Sequence, residues 1–236
     1  MVGLISDSHV HLGKSEAVGR ELTIEDVLWH KEHNKVLNML VMDPDNDNML
    51  KLLDKKIWGI RGLQWITEST IPDDLIHTEN VIGCKFHGAY GNRPRPSLAI
   101  LEQLNRFGAL LLMHTGRYKD ADISSNSSYL HSVEIGKQYP DIILIMAHMG
   151  GTDTTICKRA INASQDYKNI YFDTSGITTP YIIEYACDTI GPQRILFGSD
   201  VPWCSFRAMY YTIEDARIPE VFKDDILYHN LNRLVK

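Results

Sequence analysis

The sequence predicts one α/β domain built as a (β/α)8 TIM barrel, and three observations carry that prediction. Eight short apolar runs recur at near-regular spacing, and stretches with helical periodicity lie between several of them. The 236 residues match the length typical of this barrel, about 250. Strands alternating with helices of this size imply βαβ units and a parallel sheet. The runs span 3–10, 35–42, 57–66, 81–86, 109–113, 142–147, 169–173 and 194–199. Helical periodicity marks 23–34, 96–107, 129–138 and 180–189, and a terminal helix is expected at 224–234. No linker, low-complexity tract or internal repeat interrupts the series, so residues 1–236 are expected to form one domain.

The first run ends in Asp7-Ser8-His9-Val10-His11. Alternate residues of a strand share a face, so His9 and His11 project together and can hold one divalent ion. The second run leads into Asp43-Pro44-Asp45-Asn46-Asp47-Asn48. That loop lacks the sixth-position glycine and twelfth-position glutamate of a calcium loop, having Asn48 and Asp54 there. It reads as a polar βα loop with an Asp or Asn capping a helix from Met49. The fourth run continues through Lys85-Phe86-His87-Gly88, placing Lys85 and His87 on one face. The fifth runs into His114-Thr115-Gly116, the sixth into His148-Met149-Gly150-Gly151, and the eighth into Asp200-Val201-Pro202-Trp203. Each reads as a buried strand ending in a potential ligand just before Gly or Pro turns the chain.

Composition narrows the partners. A formal charge of −6 with no Lys/Arg cluster argues against nucleic acid. No apolar run approaches the ~20 residues of a membrane span. The start, Met1 to Asp7, has no cationic region and is not expected to be a signal peptide. The cysteines at 84, 157, 187 and 204 form no Cys-x-x-Cys pair, so a reduced, cytoplasmic setting is expected. Cys204 lies near Asp200 but reads first as a free, partly buried thiol. Asn126-Ser127-Ser128 and Asn162-Ala163-Ser164 match glycosylation acceptors by chance.

Active sites of this barrel sit at the C-terminal ends of the strands. His9, His11, His114, His148 and Asp200 all fall there. A lone histidine is usually surface or satisfied core, and the joint placement is what sets these five apart. Imidazoles and one carboxylate with a position left open form a catalytic metal layout. Water in the open position has a pKa near ~7. Asp200 can bind the metal, accept a proton and return it to a leaving group. His148 either completes the shell or hydrogen-bonds an oxygen that gains negative charge. Loops 88–96 and 115–128 are candidate lids. Arg117, Arg93 and Arg95 are candidate anchors for an acidic substrate, since arginine grips carboxylate bidentately. His87 and Trp203 are placed to line the pocket, and Lys85 to stand near the substrate.

These residues resemble the amidohydrolase superfamily. The shared features are Asp-x-His-x-His on the first strand, His at the ends of the fifth and sixth, and Asp at the end of the eighth. More narrowly, the chain is similar to the amidohydrolase-related branch of TIM-barrel metal-dependent hydrolases. That branch also includes dicarboxylate lactonases and non-oxidative decarboxylases. The resemblance runs from Ser6 to the terminal helix and is most specific at Leu196-Phe197-Gly198-Ser199-Asp200 with Val201-Pro202-Trp203. It implies a metal, usually zinc, bound by His9, His11, His114 and Asp200 with His148 beside it. The branch often carries Gly-x-Lys-x-His-Pro on the fourth strand, and Gly88 departs from that proline. In binuclear members a carboxylated lysine there bridges two metals and His148 becomes a full ligand, so one or two ions per chain are implied.

The expected activity is metal-dependent hydrolysis of a small-molecule amide, lactone or related ester. The alternative is non-oxidative decarboxylation of an aromatic or unsaturated acid at the same site. A TatD-type nuclease fits less well, having glutamate where Lys85 stands, and the acidic charge disfavours a phosphate backbone. A catalytically silent binding barrel would have no use for five convergent ligands. The homo-oligomeric state is left open.

Overall fold

Runs of Val, Ile, Leu and Met that are too short for helices and buried on both faces form the strands, as a parallel sheet requires. The computed structural model describes residues 4–15, 19–88, 93–116 and 127–235. The barrel strands are β1 Ile5–His11, β2 Val36–Asp43, β3 Ile60–Ile66, β4 Val81–Phe86, β5 Leu110–Met113, β6 Ile143–Met146, β7 Ile170–Asp173 and β8 Ile195–Leu196. They pair in chain order, all parallel, in one eight-stranded sheet. Residues 197–201 then run along β1 and close the ring. Ser8 N–H donates to the Phe197 carbonyl (2.9 Å), Asp200 N–H to the His9 carbonyl (2.8 Å) and His11 N–H to the Val201 carbonyl (3.0 Å).

The helices are α1 Ile24–His33, α2 Asn46–Leu53, α3 Leu98–Phe107, α4 Tyr129–Gln138, α5 Thr154–Ala163, α6 Pro180–Ile190, α7 Phe206–Glu214, α8 Glu220–Asp224 and α9 Asn230–Leu234. Side-chain caps fix most of their starts by accepting orphan N–H groups. Thr23 and Asp26 form a capping box on α1, Ser97 accepts from Ile100 N–H on α3, and Asp153 accepts from Thr155 and Ile156 N–H on α5. Helix α2 begins at Asn46, three residues before the expected start, because Asp45 caps it by accepting from Asp47 N–H. Between β3 and β4 the described chain forms only a 3-10 turn, Pro72–Asp74. Gln64 anchors that connection, donating to the Asp74 carbonyl (2.7 Å) and accepting from Ile76 N–H (2.6 Å).

Alternation along the strands sorts the core into two shells. Met39, Val41, Leu111, Leu144 and Met146 pack outward beneath the helices. Leu40, Met42, Leu63, Trp65, Leu110, Leu112, Ile145, Ala147 and Leu196 fill the barrel interior. Leu231 of α9 joins the interior shell, so the terminal helix stops the N-terminal end of the barrel. The opposite end is left as the mouth. None of the described helices is long and apolar enough to cross a membrane, and the four cysteines are free.

Candidate metal centre

The inward face of β1 delivers His9 and His11, while Asp7, paired in register with the outward Met39 and separated from the histidines by a register shift before Val10, points toward α1. Asp7 is fully buried, and its Oδ1 accepts N–H groups from His9 (3.1 Å) and Ser199 (2.9 Å). Its Oδ2 lies 3.2 Å from His30 Nε2 of α1. One carboxylate therefore ties the first strand to the segment that carries Asp200. That segment ends with Asp200 in the left-handed region (φ 55°), a conformation Asp tolerates better than most residues.

At the mouth, His9 Nε2 and His11 Nε2 are 3.2 Å apart. Asp200 Oδ1 stands 3.2 Å from His11 Nε2 and 3.5 Å from His9 Nε2. Ligand atoms about 2.0–2.2 Å from a tetrahedral ion lie roughly 3.3–3.6 Å from one another, close to the edges of this triangle. Among the described residues, His9, His11 and Asp200 form the group able to hold a metal, with ligand atoms all within 4.8 Å. Lys85 is fully buried beside it, with Nζ 3.3 Å from His9 Nε2.

A second imidazole group adjoins the first. His148 Nε2 lies 3.1 Å from His114 Nδ1, and the His114 ring stacks on His87 with centroids 3.7 Å apart and planes at 9°. The structure thus sets His114 with His148 and His87, beside rather than within the three-residue group. The alternation that points Ile145 and Ala147 inward would turn His148 outward. Left-handed backbone at His148 (φ 56°) and Met149 (φ 51°) swings the ring back into the mouth. Strained non-glycine backbone of this kind collects at functional sites.

Trp65 and Trp203 wall the mouth, each with its ring centroid 6.4 Å from that of His11. Arg95 faces Glu134 of α4 at 3.9 Å, and Arg93 is exposed. Arg117 lies outside the described residues, as do the middles of both candidate lid segments. Three site residues were not anticipated. Trp65 and Asp173 each stand at or near the C-terminal end of a strand on its inward face, which is a readable signal. Ser175 lies in the loop after β7 and has no such signal.

Burial, reinforced by Lys85, pushes His9 down to about 4. Burial, with Lys85 and the neighbouring imidazoles, pushes His87 down to about 2, and His114 falls well below its ordinary value for the same reasons. Burial alone would raise Asp173, but the facing His9, its hydrogen bond, His148 and Ser175 bring it to about 2. Asp200 is held well below the usual carboxylate range: burial opposes this, while His9, the His11 hydrogen bond and His148 prevail. Burial lowers Lys85 to about 8 against the pull of Asp173 and Asp200. At neutral pH the site therefore presents neutral His9, His87 and His114 beside ionised carboxylates, the forms that bind metal.

Glycine at 198 lets this cluster pack. A Cβ there would stand 3.1 Å from His9 Cβ and 3.3 Å from Asp173 Cβ and Cγ. Both neighbours sit on fixed strands, so Gly198→Ala is expected to lower stability by about 1–3 kcal/mol through overpacking. Denaturant titration checks this, and a wild-type midpoint would show that the gap has room to spare.

The family model described as Amidohydrolase matches residues 30–236. Among curated proteins no sequence matches. Solved structures with the same fold include 5-carboxyvanillate decarboxylase from Sphingomonas paucimobilis, 12% identical, with 98% of each chain covered and a TM-score of 0.74. A probable 2-pyrone-4,6-dicarboxylic acid hydrolase from Acinetobacter baumannii is 14% identical at a TM-score of 0.73, covering 100% of this chain and 99% of that one. An amidohydrolase from Burkholderia multivorans with bound zinc is 13% identical at a TM-score of 0.73, with 98% of each chain covered.

Proposed function

The chain belongs to the amidohydrolase family, and from that premise we propose that it hydrolyses a small-molecule amide, lactone or related ester with the help of one zinc ion. The observation that carries this reading is the 3.2, 3.2 and 3.5 Å triangle of His9, His11 and Asp200, which fits the donor set and spacing of a divalent ion. His9, His11 and Asp200 would hold the ion, with His114 and His148 as the adjoining imidazoles. A bound ion supplies Lewis acidity that polarises a carbonyl and acidifies water.

The chain's own residues do the rest. Asp200 is ionised and takes a proton from water at the mouth, then returns it to the leaving group. Its Oδ2 is 3.9 Å from the Cys204 thiol, leaving Oδ1 for the ligand side. The His148 ring is placed to hydrogen-bond an oxygen that becomes negative. Lys85, lowered to about 8, is a cation that gives up its proton more readily than a solvated lysine, close enough to steady an anionic substrate group. Trp65 and Trp203 stand against His11 and would line the substrate space at the mouth.

Decarboxylation of an unsaturated or aromatic acid is the second reading. It is favoured by the flat wall of Trp65, His87 and His114, with Trp65 and His87 rings 6.1 Å apart at 21°. A structural neighbour named as 5-carboxyvanillate decarboxylase gives it further support. Release of CO2 identifies that reaction, and proton release in a pH-stat identifies hydrolysis of an ester or lactone. The substrate under either reading is a small molecule and the proposed setting cytoplasmic, with no nucleic-acid partner.

Metal content by mass spectrometry, on protein purified without chelator or nickel resin, tests the proposal. About one zinc per chain is expected. Two would make Lys85 a carboxylated bridge and His148 a ligand. A protein that carries none, and takes up none on reconstitution, refutes the reading.

A further inference from the structure

Asp173 ends β7 fully buried, and it lies outside the group of residues able to hold the ion. Its two oxygens serve different parts of the barrel. Oδ2 accepts the N–H of His9 Nδ1 at 2.8 Å. Oδ1 accepts the backbone N–H of His148 (3.0 Å), the backbone N–H of Ser175 (3.0 Å) and the Ser175 hydroxyl. Ser175 Oγ in turn lies 2.8 Å from His148 Nδ1, which also faces the Ser175 carbonyl at 3.1 Å. A carbonyl only accepts, so His148 Nδ1 carries a hydrogen. The donors then run in one direction: His148 Nδ1–H to the Ser175 hydroxyl, the hydroxyl to Asp173, and His9 Nδ1–H to Asp173 from the other side.

A neutral imidazole has one N–H, so the neutral form of each ring that fits these partners is the one with its lone pair on Nε2. Those are the atoms that face the mouth, His9 Nε2 toward His11 and His148 Nε2 toward His114. We propose that Asp173 is a positioning residue that fixes the tautomer of His9 directly and that of His148 through Ser175. The use made of the two lone pairs rests on the zinc reading; the tautomers themselves do not. A metal-ligating histidine whose second nitrogen donates to a carboxylate is held in orientation and made more basic. Here one carboxylate would do this for two neighbouring rings, whose centroids lie 5.3 Å apart.

A purely structural role for Asp173, as an acceptor for the loop after β6, makes a different prediction for Asp173→Asn. The three donors on Oδ1 keep the amide oxygen where it is, so the loop retains its acceptor. The amide nitrogen then faces His9 Nδ1 with a hydrogen, and His9 must turn to the Nε2–H tautomer, which cannot ligate.

Long-range 1H–15N spectra of histidine-labelled, metal-free protein read the tautomers, and chelator competition reads the affinity for zinc itself. Wild type is expected to show Nδ1–H at His9 and His148. Asp173→Asn is expected to show Nε2–H at His9 and zinc affinity lower by about 10–100-fold. An Nε2–H tautomer at His9 in wild type overturns the proposal, as does a folded Asp173→Asn that binds zinc like wild type. If that variant does not fold, the wild-type spectrum decides alone. If wild type binds no zinc, the metal reading falls, while Nδ1–H at both rings still upholds the role of Asp173.

Discussion

Asparagine at position 200 is expected to leave the barrel folded while turnover on its substrate falls by about 10²–10⁴-fold. The substitution keeps shape and volume, and the Asp200 backbone N–H to the His9 carbonyl is untouched. Basicity is what disappears. Asp200 Oδ1 faces both His9 and His11, and the ionised carboxylate is the group at the mouth best placed to accept a proton from water and give it back. An amide can do neither. Steady-state kinetics with a thermal melt on the same preparation check the result. A folded variant with near-wild-type turnover would remove Asp200 from the chemistry and shift attention to the decarboxylase reading.

Truncating His11 is the second large effect. Its side chain retains 15% exposure, so His11→Ala opens toward solvent instead of leaving a sealed hole, and the metal-free barrel should remain folded. What it loses is zinc-dependent stability. A wild-type protein in free zinc at a thousand times its Kd gains about 4 kcal/mol, and His11→Ala is expected to lose most of that gain at the same zinc concentration. Urea titrations with zinc and with chelator measure the difference directly. Equal protection in the two proteins would place the ion elsewhere.

Much of this was legible because strand periodicity is a strong signal and barrel topology converts it into position. His9, His11, Lys85, His114 and Asp200 lie on inward-facing phases of their strands, so alternation plus the rule that barrels act at their C-terminal ends brings them to one mouth. The same rule applied evenly points to Asp173 and Trp65. Residue type directed attention to histidine and to a single aspartate, so neither of these stood out. His148 shows the opposite behaviour. Its strand phase points away from the mouth, and only the left-handed backbone at His148 and Met149 returns it, a local geometry that sequence does not display. The split of the imidazoles into two groups depends on ring rotations, and the missing helix between β3 and β4 on a turn held by Gln64. Side-chain packing sets both, and neither has a periodic signature.

The bond between Asp7 and the Ser199 N–H spans 192 residues of chain. During synthesis His9 and His11 emerge well before Asp200. Until Asp200 follows, the nascent chain offers only a loose pair of imidazoles, which would hold an ion far more weakly than a closed shell. The backbone contacts that complete the ring bring Asp200 beside His9 and His11, and they are among the last that loop-closure entropy permits. On the zinc reading, loading with metal would follow assembly of the ring. The terminal helix that stops the other end is made later still, so a chain cut short after Asp200 would have its ligands but no floor beneath them.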